Sequence, residues 1–472
     1  MADVASKKSK SKLFAQTRKL SVKEGAAASV MVGCVENNIT PYALELKATN
    51  LEAGLLASFA NLLGPLAQLI GSRLLEKWHR KKIVLWGVGA QVLACFLLAS
   101  IGWIFLASGK NLYLVPLFIG AYVLYNLTGS LAGPAWFSLM GDAVPENIRG
   151  RYFSFRNKVA GIFSVSATIL GALLLYYLQQ FEIIYGFIII FGVAGLSRFI
   201  SALMFRRHYI EDLTLEKNYY FSFWQFLRKI RYFNFNRFSL YVALIMFGTN
   251  IAGPFYAVYM WKILKLNPLW FAAVNVSVSI FMLLFFPVWG RFSEKYGNRE
   301  TVKVGSLILL LVPLLWSVSA NPLFLIFVTQ LVAGLGWSAF NLSSSNFIYD
   351  SVEPTRRALM VAYYNLLSGI GIFAGAVLGG VITQFLNFGG SGVFIMLFLL
   401  SGLVRLIVMV AVLPKIKEVR SYEHAAQKNP LSYLKEIAPL HETFHATTYP
   451  LRQANVLRKK LGLYRRERIR YF

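Results

Sequence analysis

A chain of 472 residues that is 57% hydrophobic and only 15% charged, with a mean hydropathy of +0.55, carries more apolar surface than one water-soluble core can bury, which places it in a bilayer. The formal net charge of +27 invites a nucleic-acid partner, but the lysines and arginines are dispersed over many short segments, a pattern that membrane topology requires by itself and that argues against nucleic-acid binding. Two cysteines, Cys34 and Cys95, both within apolar runs, and five scattered histidines give no disulfide framework and no metal site.

The first 23 residues are basic and polar and no convincing cleavage site follows, so the N-terminus is expected to stay in the cytoplasm. Runs of about 20 apolar residues, the length a helix needs to cross about 30 Å of hydrocarbon, then recur twelve times. They cover 25–46, 51–72, 83–107, 112–138, 156–178 and 184–206, then 238–262, 268–289, 302–320, 322–347, 359–386 and 392–413. The expected organisation is a basic cytoplasmic N-terminus (1–24), a six-helix bundle (25–206), a cytoplasmic linker (207–237), a second six-helix bundle (238–414) and a basic cytoplasmic tail (415–472). The fold class is an all-α membrane protein with twelve transmembrane helices in two pseudo-symmetric bundles. The linker mixes charge with aromatics and is expected to contain an interfacial helix; residues 450–472 read equally well as a basic helix on anionic lipid or as a solvated tail.

Charge tests the count. With both ends inside, every Lys and Arg falls in an inward segment except Lys47, Lys110, Lys262 and Lys265 on the outer side and Arg198 and Arg405 within spans. A missed or extra helix would scramble that alternation.

The two halves repeat. "DAVPENIRGRYFSFRN" and "DSVEPTRRALMVAYYN" align without a gap and match Asp142 with Asp350 and Arg149 with Arg357; "GLSRFI" and "GLVRLI" match Arg198 with Arg405; "NITPY" and "NIAGPFY" match Asn38 with Asn250. A fourth pair, "GSRLLEKWHRKKIV" and "GRFSEKYGNRETV", brings in a family. The second resembles the signature loop of the major facilitator superfamily, with Gly290, Glu294, Lys295, Gly297 and Arg299 in place; the first keeps Gly71 and Arg80 but has Leu75 where the acid belongs. The resemblance covers about 25 to 414.

It implies that spans 1, 4, 7 and 10 border a central cavity, that 2, 5, 8 and 11 lie between the bundles, and that 3, 6, 9 and 12 are outermost. On that frame the substrate-cavity candidates are Asn37, Asn38 and Thr40, Asn126 and Ser130, Asn250 and Tyr256, and Trp337, Ser338 and Asn341. It also implies a cytoplasmic gate network that holds the closed state: Gly71, Arg80, Asp142, Arg149, Gly290, Glu294, Arg299, Asp350 and Arg357. Loop anchoring alone is the simpler alternative. Arg198 and Arg405 suggest an anion site, although an arginine two turns from a helix end can also snorkel or hold a neighbouring helix end. The glycines of "SGIGIFAGAVLGG" suit close packing, and span 5 lacks the glycine pattern typical of drug/proton antiporters in the superfamily.

Glu36 reads as the one deep carboxylate, and a carboxylate at mid-bilayer costs about 2.5–3.5 kcal/mol on insertion scales, so it is expected to have work to do. Proton coupling, direct contact with a cationic or hydroxylated solute, and a hydrogen-bonded structural acid are the three readings. At 100° per residue Glu36 and Thr40 share a helix face. No catalytic constellation, phosphate loop or metal-ligand helix is present, so a membrane enzyme and a non-transporting sensor or scaffold are the lesser alternatives. The expectation is a secondary transporter in the plasma membrane, multi-pass and monomeric, without a cofactor, whose partners are a small organic solute, lipid and protons.

Overall fold

The computed structural model describes residues 2–74, 78–109, 113–209, 222–352, 354–385 and 391–419, with the side chains of 2–11, 57, 72, 146–151, 154 and 354–358 left aside. Part of the linker (210–221) and the basic tail from 420 lie outside the described residues, as do Leu75 and the side chains of Arg149 and Arg357.

The first half consists of α1 (Ala2–Val35), α2 (Ile39–Glu45), α3 (Asn50–Leu74), α4 (Arg80–Ser108), α5 (Leu114–Ala143), α6 (Glu146–Leu178) and α7 (Ile183–Arg206). A short α8 (Phe223–Arg228), closed by a Ser222/Gln225 capping box, lies in the linker. The second half consists of α9 (Asn234–Val258), α10 (Pro268–Tyr296), α11 (Asn298–Val318), α12 (Pro322–Phe324), α13 (Leu331–Ser351), α14 (Pro354–Phe385) and α15 (Gly392–Val412). A π-helical turn, Tyr259–Ile263, continues α9, and another, Leu325–Gln330, joins α12 to α13. No strand occurs among the described residues.

Among the described residues eleven continuous helices are long and apolar enough to cross a membrane. The twelfth crossing is divided: α1 and α2 together occupy the span expected at 25–46, interrupted at Glu36–Asn38. Several other boundaries shift, with α6 starting at Glu146 rather than 156 and α10 running to Tyr296 rather than 289. Helix α1 starts at Ala2 and runs through the boundary drawn at residue 24, and helix α11 starts at Asn298 rather than 302.

Packing repeats with the sequence. In the first half α1 lies on α6 and α7, α5 on α3 and α4, and α4 on α7; in the second α9 lies on α14 and α15, α13 on α10 and α11, and α11 on α15. Even the turns correspond: Lys47 after α2 (φ 67°) and Lys265 after the α9 crossing (φ 48°) both sit in the left-handed region, uncommon for a non-glycine residue. Each half has its own core. Tyr42 is fully buried in the first, stacked on Phe187 and edge-on to Phe118, and donates to the Leu98 carbonyl at 3.2 Å. Leucine and aromatic side chains such as Leu170 and Tyr177 on α6 and Leu196 and Leu203 on α7 stay exposed, as lipid contact requires.

The halves meet along α3 and α14, and along α6 and α10. Helix α14 approaches two neighbours at once because it is glycine-lined on two faces. A Cβ at Gly371, Gly375 or Gly379 would lie 2.2 Å from the carbonyl oxygen of Ala243, Phe247 or Ile251 of α9, and one at Gly369 would lie 2.3 Å from that of Asn61 of α3. In lipid no solvent effect pulls helices together, so this backbone proximity supplies much of the attraction. On the face remote from the described chain ends, here the far face, the halves are also bonded. Trp261 Nε1 donates to Glu45 Oε1 at 2.8 Å, and Lys262 Nζ reaches the Ala48 carbonyl and Asn50 Oδ1 at 3.2 Å each.

The interruption of the first crossing leaves carbonyls without helical partners, and side chains take them up. Asn38 Nδ2 donates to the Cys34 carbonyl (2.8 Å), and Thr168 Oγ1 of α6 donates to that of Gly33 (3.0 Å) while lying 3.3 Å from Asn37 Nδ2. Gly33 permits this approach, since a Cβ there would lie 2.2 Å from the Ser164 carbonyl oxygen.

Gly375→Leu is expected to lower stability by about 1–3 kcal/mol, seen as a lower melting temperature in detergent, whereas Gly161→Leu, in open space on α6, leaves it within about 0.5 kcal/mol. Thr168→Val removes both bonds at the interruption; because hydrogen bonds within membranes average about 0.6 kcal/mol, a loss of about 1–2 kcal/mol is expected in the same melt, with Thr168→Ser close to wild type.

Candidate functional site

The site is organised by the three residues at which the first crossing stops being a helix. The amide of Glu36 still bonds back to the Val32 carbonyl (3.0 Å), that of Asn38 closes a tighter turn on Val35 (3.1 Å), and that of Tyr42 restarts the helix on the Asn38 carbonyl (3.0 Å). A helical wheel therefore does not apply across this stretch. Asn38 is turned inward, 6% exposed, against its own helix end and α6. Glu36 is exposed, yet its carboxylate is within hydrogen-bonding reach of the hydroxyls of Tyr122 and Tyr125 on α5. Those tyrosines are 5% and 3% exposed and stack on one another at 5.9 Å. The carboxylate thus reaches buried hydroxyls of a neighbouring helix while part of its own residue stays exposed.

The other candidates divide. Asn37, Thr40, Asn126, Ser130, Asn250 and Trp337 are half-buried and Asn341 is exposed, on the helices expected to carry them. Asn126 and Asn250 donate to carbonyls one turn back in their own helices, those of Tyr122 and Met246, and Ser130 faces α3 at Gly64. Ser338 is fully buried and bonded to the Leu335 carbonyl. Tyr256 turns into the second bundle, its ring stacked between Trp316 (4.7 Å) and Phe398 (4.8 Å) and its hydroxyl beside Arg405. Ser338 and Tyr256 thus pack as core, as Asn38 does.

The described bonds of the expected gate residues include several within each half. Arg80, 4% exposed, holds Asp142 at 2.6 Å and Ser138 at 3.2 Å, and at the corresponding place Asn298 Nδ2 donates to Asp350 at 2.8 Å. The Arg299 backbone amide donates to Glu418, and its side chain to the Ile416 carbonyl and Glu300, all at 2.7 Å. Glu294 is exposed. Gly71 serves the crossing of α3 with α5, a Cβ there lying 2.3 Å from the Leu131 carbonyl oxygen, whereas Gly290 faces open space. Arg149 and Arg357 fall among the side chains outside the described residues.

Two groups escaped the sequence reading. One is the tyrosine pair, whose spacing on span 4 was visible but whose direction was not. The other corrects the view that Glu36 is the one deep acid. Glu24, near the end of the basic N-terminal stretch, is 4% exposed, with Arg156 of α6 at 3.5 Å and Arg198 of α7 at 3.8 Å. Its Oε1 accepts from Ser201 at 3.0 Å. Arg198 in turn grips Gln91 Oε1 through Nε (2.9 Å) and a terminal nitrogen (2.6 Å). The available signal was Arg198 itself, a cation within a span that needs a counter-charge. Neither repeated arginine snorkels: Arg405 is 3% exposed and donates to the Leu309 carbonyl and to Ser401. Among the described residues no group of three or more His, Cys, Asp or Glu side chains is placed to hold a metal.

Comparison with known proteins follows the same lines. Stretches of the chain are 29% identical over 129 residues to Solute carrier family 22 member 18 of Rattus norvegicus and 26% identical over 186 residues to that of Mus musculus, covering 26% and 39% of this chain. The matched stretches span 31% and 45% of those proteins, less than half of each. Among solved structures, the nucleoside transporter NupG superposes with a TM-score of 0.66 at 14% identity over 86% of this chain and 99% of its own. An auto-inhibited POT family peptide transporter superposes with 0.68 at 12% identity over 88% and 99%, likenesses that speak to fold alone. The family model described as Major Facilitator Superfamily matches twice, at residues 26–247 and 238–460, one match for each half of the repeat. With twelve crossings in two equivalent bundles and that double match, the chain belongs to the Major Facilitator Superfamily.

Proposed function

We propose that this protein moves a small organic solute across the membrane by alternating access, with Glu36 as the group that couples transport to protons. The observation that carries this reading is the polar break in the first crossing: an ionisable side chain at membrane depth, open on one side and facing two tyrosine hydroxyls on the other. A carboxyl so placed can exchange a proton with water in whichever direction the cleft opens. The tyrosine hydroxyls can stabilise its charged form, and the cleft walls keep it from lipid.

The contacts between halves support the alternation. On the far face Glu45, Ala48 and Asn50 of the first half hold Trp261 and Lys262 of the second, so this conformer is latched there. The Arg80–Asp142 and Asn298–Asp350 pairs, each within one half, brace the rims of two bundles that have to move as rigid bodies. By the distribution of lysine and arginine, we read the face with the described chain ends as cytoplasmic. The relatives named above include transporters of nucleosides and of peptides, but the half-buried amides and aromatics here suit a sugar, a nucleoside or an amphipathic organic molecule equally.

The test begins with a thermal-shift panel of those three solute classes on purified protein, followed by flux into liposomes under an imposed pH gradient. Glu36→Gln is expected to keep solute exchange at equal pH while losing at least about tenfold of pH-driven accumulation, a differential effect of about 1.4 kcal/mol. Accumulation by Glu36→Gln at the wild-type level would exclude Glu36 as the coupling group.

A further inference from the structure

The buried ion cluster at Glu24 and the cleft at Glu36 share a helix, α1, but their closer connection runs sideways through α7, α4 and α5. Glu24 holds Arg198, and Arg198 clamps Gln91 Oε1 with two nitrogens. The amide nitrogen at the other end of Gln91 donates to the carbonyl of Tyr125 at 3.1 Å. Tyr125 is one of the two hydroxyls that face Glu36. Gln91 is 5% exposed, so both ends of its amide are used inside the protein.

Its route is built into the opposing helix. A Cβ at Gly129 of α5 would lie 2.2 Å from Gln91 Nε2, so glycine leaves the slot through which the amide crosses to the Tyr125 turn. Arg198 also lies close enough to the Tyr125 hydroxyl and the Cys95 thiol to interact electrostatically with both, which places a fixed positive charge behind the tyrosine. The titratable groups linked to Glu36 are thus Tyr122 and Tyr125 on α5, with Cys95 of α4 and Arg198 of α7 interacting with Tyr125 and the Glu24–Arg156 pair adjoining Arg198.

Among the described residues the second half is wired differently. Arg405, the repeat partner of Arg198, spends one terminal nitrogen on a backbone carbonyl of α11, the helix equivalent to α4, and the other on Ser401 of its own helix, and it meets the Tyr256 hydroxyl directly, with neither a glutamine nor a carboxylate among its described bonds. A cluster needed only to glue helices together would serve both halves alike. Its elaboration in the half that carries Glu36 points to a task there.

We propose that Gln91, clamped by Arg198 and through it by Glu24, is a positioning residue that sets how the Tyr125 hydroxyl meets the Glu36 carboxylate. This rests on the reading of Glu36 as a proton-exchanging group. The cluster fixes the turn of α5 from which Tyr125 projects, and the ring follows the backbone.

The test is infrared difference spectroscopy, acidic minus neutral, on the full chain in lipid nanodiscs without solute. Bands present in wild type and missing in Glu36→Gln belong to Glu36, and Tyr125→Phe shows how they move when that hydroxyl is lost. Gln91→Leu is expected to shift the Glu36 carboxylate bands in the same sense as Tyr125→Phe. Gly129→Ala, which displaces the Gln91 amide without removing a buried polar group, is expected to do the same and serves if Gln91→Leu does not fold. Glu36 bands unchanged in the variants that fold, alongside a clear shift in Tyr125→Phe, would overturn the positioning role and leave Glu36 as the coupling group. A wild-type spectrum with no Glu36 band would instead overturn the reading of Glu36 as a proton-exchanging group.

Discussion

A backbone carbonyl at membrane depth has to be hydrogen-bonded within the protein, and the candidate site of this structure is arranged around a place where the helix does not supply that bond. Where α1 stops at Val35, the Gly33 and Cys34 carbonyls take side-chain donors from Thr168 and Asn38. Those donors fix the end of α1 against α6 and let Glu36 leave the helical path towards α5. Without Gly33, α6 would stand too far away for Thr168 to reach. The polar break and the close packing around it are therefore one feature.

The two bundles share a packing plan but not a charge plan. Each carries a buried arginine on its last helix, and each must satisfy a guanidinium where water is scarce. The first half does so with a carboxylate and a glutamine that extend to its tyrosine pair, and the second with a backbone carbonyl, a serine and the hydroxyl of Tyr256. Repetition makes the frame, and departure from it marks where the halves have taken different tasks. The far-face bonds and the glycine-lined contact of α14 with α3 then join two unlike halves.

Much of this was legible in the residues because hydropathy and lysine/arginine placement respond to the bilayer directly. Twelve crossings, two halves and the family could be read before any coordinates. The interruption at Glu36–Asn38 could not, since an apolar run with three polar residues at its centre reads as one helix until the partners for its freed carbonyls are seen. Side-chain direction was the other loss. Tyr256 and Ser338 sit on the expected helices yet point into packed interior, because helix identity says which element borders a cleft but not which way a residue faces. Glu24 was hidden by its company: among basic neighbours it looked like part of a solvated terminus, while α1 carries it into the bundle, where two arginines meet it.

The central claim is that position 36 opens on a wet cleft inside the protein. Its most direct measurement is thiol labelling of Glu36→Cys, in a background where buried Cys34 and Cys95 are serine, using a charged maleimide that does not cross membranes. With the far face latched as here, labelling is expected from the face that carries the described chain ends. Reaction confined to lipid-soluble maleimides, with the charged reagent inert from both sides, would place residue 36 against acyl chains and contradict the claim.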